Sequence, residues 1–207
     1  ARRLAARLWG FFVSEIHAPD EGFLQNVASV YLQNNTEMKP VVRYVLQSPW
    51  FGESQRYHAR YSWPAEYVVR AIKEMGWNGF SVDSARTPMT NMGQTLFEPP
   101  DVNGWELGRG WFSTGAMLAR MNFAATLASN QRFNLARDAG GARSSAENVL
   151  STFMERFSPA PFDSEPYAEL LSYLRAGTGW TGSDAQIGAR APGLARLIVG
   201  SSEYQFV

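Results

Sequence analysis

The sequence predicts an all-α fold: a compact bundle of about eight amphipathic helices carrying one rigid loop rich in Pro, Gly and Trp. Three observations lead there. Apolar residues recur at i, i+4, i+7 and i+8 in segment after segment. Capping residues or Pro precede most of these segments, and Gly or Pro follows them. No period-2 run of convincing length interrupts the pattern.

The first helix carries Leu4, Leu8, Phe11 and Phe12 on one face. Asp20 is placed to cap a second, with Phe23, Val27, Val30 and Tyr31 inward. Thr36 is expected to cap a third, bearing Val41, Val42, Val45 and Leu46 and ending before Pro49. Pro64 and Glu66 mark the first turn of a fourth, where Val68, Ile72 and Met75 form a stripe that Gly76 closes. Thr87-Pro88 is expected to open a short fifth with Met89, Met92 and Leu96. The longest helix spans 114–137, with Met117, Met121, Ala124 and Ala128 along one side. Gly140-Gly141 breaks it, and Ser144 with Glu147 has capping-box spacing ahead of Leu150, Phe153, Met154 and Phe157. Asp163 or Ser164 caps the next, with Tyr167, Leu170, Leu171 and Leu174 before Gly177. The last pattern, Ile187 to Val199, contains Pro192-Gly193 and is expected to be kinked or split.

Residues 1–138 read as a helical core holding the Phe97–Ser113 loop and helix 114–137; residues 139–207 read as a C-terminal helical extension packed on the same core. Arg43–Phe51 faintly echoes Arg196–Tyr204. Either a helical hairpin is duplicated, or two amphipathic helix ends look alike; two copies fall short of a repeat array.

Composition excludes much. The chain has 207 residues, 45% of them hydrophobic, which is too apolar for disorder. Its 19 basic and 19 acidic side chains cancel, against general binding of nucleic acid or anionic membrane. Zero cysteines exclude disulfides, thiolate metal sites and a Cys nucleophile, and His17 and His58 are too few for a three-histidine metal site. No apolar run approaches the roughly 18 to 20 residues that span a bilayer. No signal peptide is visible, and the chain opens at Ala1 inside an amphipathic pattern, as a processed or partial chain would. The neutrality is a sum of patches: Arg2, Arg3 and Arg7; Arg120, Arg132, Arg137 and Arg143; and Asp163, Glu165 and Glu169 at a helix start.

One stretch is not explained by packing. Pro99-Pro100 stiffens the 97–113 loop, Asn103-Gly104 is a tight-turn signal, and Gly108 and Gly110 flank Arg109. The candidate ligand-binding residues are Glu98, Asp101, Asn103, Trp105, Glu106, Arg109 and Trp111. Carboxylates beside indoles suit a glycan, and two carboxyls about 5 to 10 Å apart would allow glycoside cleavage. Asp101 and Asn103 offer oxygen ligands for Ca²⁺, but Asp-x-Asn-Gly is only a fragment of an EF-hand loop. The third reading is a structural clasp, with Arg109 paired to Glu98 or Asp101 and the tryptophans plugging the core. No metal and no cofactor is expected.

Other signals are weaker. His17 reads as a helix C-cap histidine. Arg56, Tyr57, Arg60 and Tyr61 around His58 resemble a base-stacking segment, too short in a neutral chain to imply nucleic acid. No Gly-x-Ser-x-Gly elbow, P-loop, dinucleotide fingerprint or His-Glu-x-x-His occurs. Met89, Met92, Met117 and Met121 read as core filling.

The motifs themselves resemble a family. Ser48-Pro-Trp-Phe51, Ser62-Trp-Pro-Ala-Glu66, Gly93-Gln-Thr-Leu-Phe-Glu-Pro-Pro-Asp-Val-Asn-Gly-Trp105 and Leu118-Ala-Arg-Met-Asn-Phe-Ala124 follow in the order seen in the bacterial "domain of unknown function 1800" family. The resemblance covers residues 1–130 well and the tail loosely, up to Ser202-Glu-Tyr-Gln205. Members are typically about twice as long, so the resemblance implies the C-terminal half. It also implies export, to the periplasm or cell surface, and a partner, and it supplies no catalytic residues. The expected function is a non-catalytic binding or assembly module of an exported bacterial protein, partnered by another protein or by a missing N-terminal half. The alternatives are a carbohydrate-directed hydrolase using the loop carboxylates, or a structural subunit of a larger complex.

Overall fold

A computed structural model describes residues 1–76, 81–105, 107–129, 139–177 and 179–207. Among the described residues the regular structure is helical, with two isolated β-bridges, Tyr61–Phe206 and Asp101–Gly104, and no strand. The fold is all-α, as expected. The chain forms two units: Ala1–Tyr61 with Phe206–Val207, and Ser62–Gln205. The boundary expected between 138 and 139 falls inside the second unit, whose single core draws on residues from Tyr67 to Tyr204.

The first unit holds α1 (Arg2–Phe12), α2 (Glu21–Gln33), α3 (Met38–Gln47) and the single turn α4 (Pro49–Gly52). In α1 the buried positions are Ala5 and Trp9, joined by Val13 at the C-cap, while Phe11 is 69% exposed. The inward face is therefore rotated from the Leu4/Leu8/Phe11/Phe12 stripe. The cause is Trp9. Its ring meets Phe23 edge-on at 5.0 Å, the Arg56 guanidinium lies over it at 4.6 Å, and its indole N–H donates to the His17 carbonyl at 2.9 Å. Burying one large apolar side chain is worth about 1.5–3 kcal/mol, so the largest one sets the register. His17 sits past the helix end, where Val13 is the C-cap, and its Nδ1 pairs with the Ser14 hydroxyl at 2.9 Å.

Asp20 caps α2 as expected, accepting from the Phe23 N–H at 3.0 Å. Thr36 does not cap α3. It has a left-handed φ of 64°, its hydroxyl donates to the Asn35 carbonyl, and Glu37 is the N-cap. The echo between Arg43–Phe51 and Arg196–Tyr204 has a local counterpart. Ser48 and Ser201 each end a helix in an extended conformation, and each donates its N–H three residues back at 3.1 Å.

The second unit contains α5 (Pro64–Glu74), α6 (Val82–Asn91), α7 (Thr114–Ser129), α8 (Ala146–Phe157), α9 (Ser164–Arg175) and α10 (Asp184–Gly200). Val68, Ile72 and Met75 are buried, and Gly76 closes α5 with φ 75°. α6 begins earlier than expected. Ser81 is its N-cap and Pro88 lies inside it, where a proline removes only one hydrogen bond and Met89 remains buried. In α7 the inward stripe is Ala116, Arg120, Phe123, Ala124, Leu127 and Ala128, leaving Met121 half-exposed. The last part of the expected helix, residues 130–137, lies outside the described residues. Ser145, one position after Ser144, caps α8. α10 is one helix rather than two. Ala191, Leu194, Ala195, Ile198 and Val199 are all buried, which holds it together through Pro192, and Gly193 admits the Tyr173 hydroxyl, which a Cβ would overlap.

Two arginines join the C-terminal ends of α5 and α8 reciprocally. Arg70 of α5 donates to the Phe157 and Ser158 carbonyls at 2.7 and 2.6 Å, and Arg156 of α8 donates to the Glu74 carbonyl at 2.5 Å. Each guanidinium satisfies orphan carbonyls and meets the negative end of the other helix dipole. Arg70 also bonds the Glu74 carboxylate at 2.9 Å, and Tyr204 donates to the other carboxylate oxygen at 2.5 Å. Burial nevertheless raises the Glu74 pKa, against the pull of Tyr204 and Arg70.

Two glycines give opposite expectations. Gly182 has φ 63° and a Cβ there would overlap the Arg143 carbonyl oxygen; Gly188 is an exposed interior residue of α10 with open space around it. Gly182→Ala is expected to cost about 2 kcal/mol or more, and Gly188→Ala to stabilise by about 0.5–1 kcal/mol, both read by urea unfolding. Because Glu74 has a raised native pKa, the folded chain holds that proton to higher pH than the unfolded chain does. Its contribution is fully present below the ordinary carboxylate range and is lost as pH rises through the native value. Stability of the parent relative to Glu74→Gln is therefore expected to fall as pH climbs through that window; parallel curves in a pH series of urea unfolding would contradict it.

Candidate functional site

The loop between α6 and α7 is pinned at both roots to the start of α5. At one root Gln94 is 5% exposed, and its side-chain carbonyl accepts the Ala65 N–H at 2.8 Å, satisfying an orphan donor of the helix. At the other root Trp111 is 5% exposed and packs against Trp63 with ring centroids 5.9 Å apart. Between these anchors Leu96 packs against the core, but three apolar side chains turn outward. Phe97, Val102 and Leu107 are 94%, 102% and 63% exposed. Phe97 also has φ 67°, a conformation that costs a bulky side chain free energy and persists only where the surroundings impose it.

The expected site residues do not form one pocket. Asp101 is exposed and serves its own turn: its carboxylate accepts the Asn103 N–H at 2.7 Å and its carbonyl the Gly104 N–H at 3.1 Å, with Gly104 at φ 91°. Asn103 and Glu98 are exposed, and Trp105 is half-buried. Arg109 is exposed in the 3₁₀ turn Gly108–Trp111. Glu106 lies outside the described residues. Of the seven, Trp111 alone is in the core among those described. Two open grooves, of about 630 Å³ beside α6 and α7 and about 490 Å³ in the first unit, are lined by none of the seven.

A denser polar constellation lies behind the loop. Arg120, grouped in the sequence with Arg132, Arg137 and Arg143 as a local basic patch, is fully buried. It donates to the Gln205 side-chain carbonyl at 2.9 Å and to the Ser62 backbone carbonyl at 2.8 Å. Its guanidinium lies between the rings of Tyr67 and Phe112, at 4.8 and 4.6 Å. The Tyr67 hydroxyl is within reach of the Arg120 and Val199 carbonyls, at 3.1 and 3.0 Å. Burial pushes the Arg120 pKa down to about 10, so the side chain stays cationic at neutral pH, and burial raises that of Tyr67. Among the described residues no carboxylate pairs with Arg120. The Nε of Arg120, the indole nitrogens of Trp63 and Trp111 and the Ser62 hydroxyl are buried without a hydrogen-bond partner.

Periodicity held a signal for this constellation. Arg120 falls at i+4 from Ala116, with Ala124 at i+8 and Leu127 at i+11, on the face that the apolar residues mark. Ranking the methionines as the inward stripe placed the arginine outside.

A family profile described as "Protein of unknown function (DUF1800)" matches residues 1–206, reaching through the tail that the motifs covered only loosely. No curated protein and no solved structure matches the chain. The motifs that anchor the loop and supply the buried arginine are those of the bacterial family, and the profile spans them all. The chain belongs to the DUF1800 family.

Proposed function

We propose that this chain is a non-catalytic binding or assembly module of an exported bacterial protein, and that it engages a protein partner through the crest of the 97–113 loop. The observation that carries this reading is the exposure of Phe97, Val102 and Leu107 on a segment pinned at Gln94 and Trp111. Large exposed apolar side chains on a preorganised loop lose little conformational entropy on docking, and they gain by leaving water. Hydrolysis has less in its support: the described loop carboxylates, Glu98 and Asp101, stand exposed outside either groove. Export rests on the family resemblance.

Photocrosslinking in cells of the bacterium that encodes the chain tests the contact. A benzophenone amino acid at position 97, 102 or 107 is expected to give a discrete protein adduct, and one at the exposed Leu32 of α2 to give none. Identical patterns at all four positions would remove the reading. The Phe97→Ser/Val102→Ser/Leu107→Ser variant is expected to keep the parent's stability to within about 0.5 kcal/mol per exposed position. Fractionation of the same cells is expected to recover the protein outside the cytoplasm.

A further inference from the structure

The shell around Arg120 contains more hydrogen-bond donors than acceptors. Among the described residues, four buried polar atoms there have no hydrogen-bond partner: Arg120 Nε, Trp63 Nε1, Trp111 Nε1 and Ser62 Oγ. They belong to one contiguous group of side chains. Trp63 packs on Trp111, Ser62 precedes Trp63 and holds Arg120 through its carbonyl, and Phe112 follows Trp111 and covers the guanidinium. Orphaned buried groups are rare in folded proteins, and each costs about 1–3 kcal/mol. Three of them beside a cation whose own Nε is the fourth, with no carboxylate paired to it among the described residues, call for something that accepts.

We propose that this shell is a subsite for an oxyanion: the carboxylate, sulfate or phosphate group of a small ligand, received by the three orphan N–H groups and the charge of Arg120. The donor set selects the chemistry. Indole and guanidinium nitrogens only donate, so they favour a group that only accepts. A water accepts about two hydrogen bonds and brings two protons that need acceptors, whereas Ser62 Oγ is the one acceptor among the four orphan atoms. An oxyanion brings no protons and supplies the negative charge that no described residue gives the buried guanidinium. Trp63 and Phe112 are only partly buried, so both side chains reach from the shell to the surface while the orphan atoms themselves are buried. The subsite uses none of the exposed crest residues, so it stands or falls independently of partner docking.

The three N–H groups are directly observable by ¹H–¹⁵N NMR of the 207-residue chain. Sodium formate, acetate, phosphate and sulfate are titrated in turn against sodium chloride at matched ionic strength. At least one oxyanion is expected to give saturable shifts of the Trp63 and Trp111 indole signals and of Arg120 Nε–H, with the other tryptophans unmoved. Which anion saturates first separates a carboxylate site from a phosphate or sulfate site. Trp111→Phe, and separately Trp63→Phe, keeps an aromatic ring, removes one donor and is expected to weaken binding by about tenfold or more. The proposal is overturned if no oxyanion gives saturable shifts, if both Phe variants bind as the parent does, or if the three N–H groups show contacts to a long-lived water that no salt displaces.

Discussion

The second unit is organised around a charge that it has taken out of water. Placing a guanidinium in a core costs several kcal/mol, and the surroundings must return that through geometry. Here the return comes from parts of the chain far apart in sequence: the Ser62 carbonyl, the Gln205 amide, and two ring faces from Tyr67 and Phe112. Truncating such a side chain would leave its acceptors unpaired as well as the space unfilled. Arg120 therefore constrains α5, α7, the root of the loop and the turn after α10 at once.

The same logic of shared ends runs through the rest of the unit. Arg70 and Arg156 exchange helix C-termini, Gln94 completes the N-terminus of α5, and Glu66 accepts the N–H of Trp63 at 3.0 Å. α5 is thus held at both ends by side chains from other elements. The loop inherits that rigidity, because both of its roots rest on the beginning of this helix. What its middle gains is freedom to expose apolar side chains without collapsing onto the core.

Much of the fold was legible because helix periodicity is a local signal. Asp20, Pro64 and Gly76 did at the helix ends what their chemistry suggests. The misreadings share a cause: a local rule was overruled by a partner elsewhere. Trp9 rotated α1 because Phe23 and Arg56 take up its ring, and Pro192 failed to split α10 because buried neighbours on both sides hold the helix. The loop stood out through its proline and glycine content, and its family through its motifs. The role of each loop residue was less legible, since turn chemistry uses Asp101 and Asn103 in the same way whether or not a ligand exists. Arg120 was hidden by the assumption that a charge marks a surface.

The bond between Arg120 and Gln205 spans 85 residues, and the Tyr67–Val199 bond spans 132. During synthesis the arginine leaves the ribosome long before its amide partner exists as protein. Until position 205 emerges, the cation has the Ser62 carbonyl and the Tyr67 and Phe112 rings within reach but lacks its amide partner. Its helices can form early, each from its own sequence, but their final packing waits. Contacts of such long sequence separation carry a large loop-closure cost, so they are slow to form and leave apolar surface exposed meanwhile.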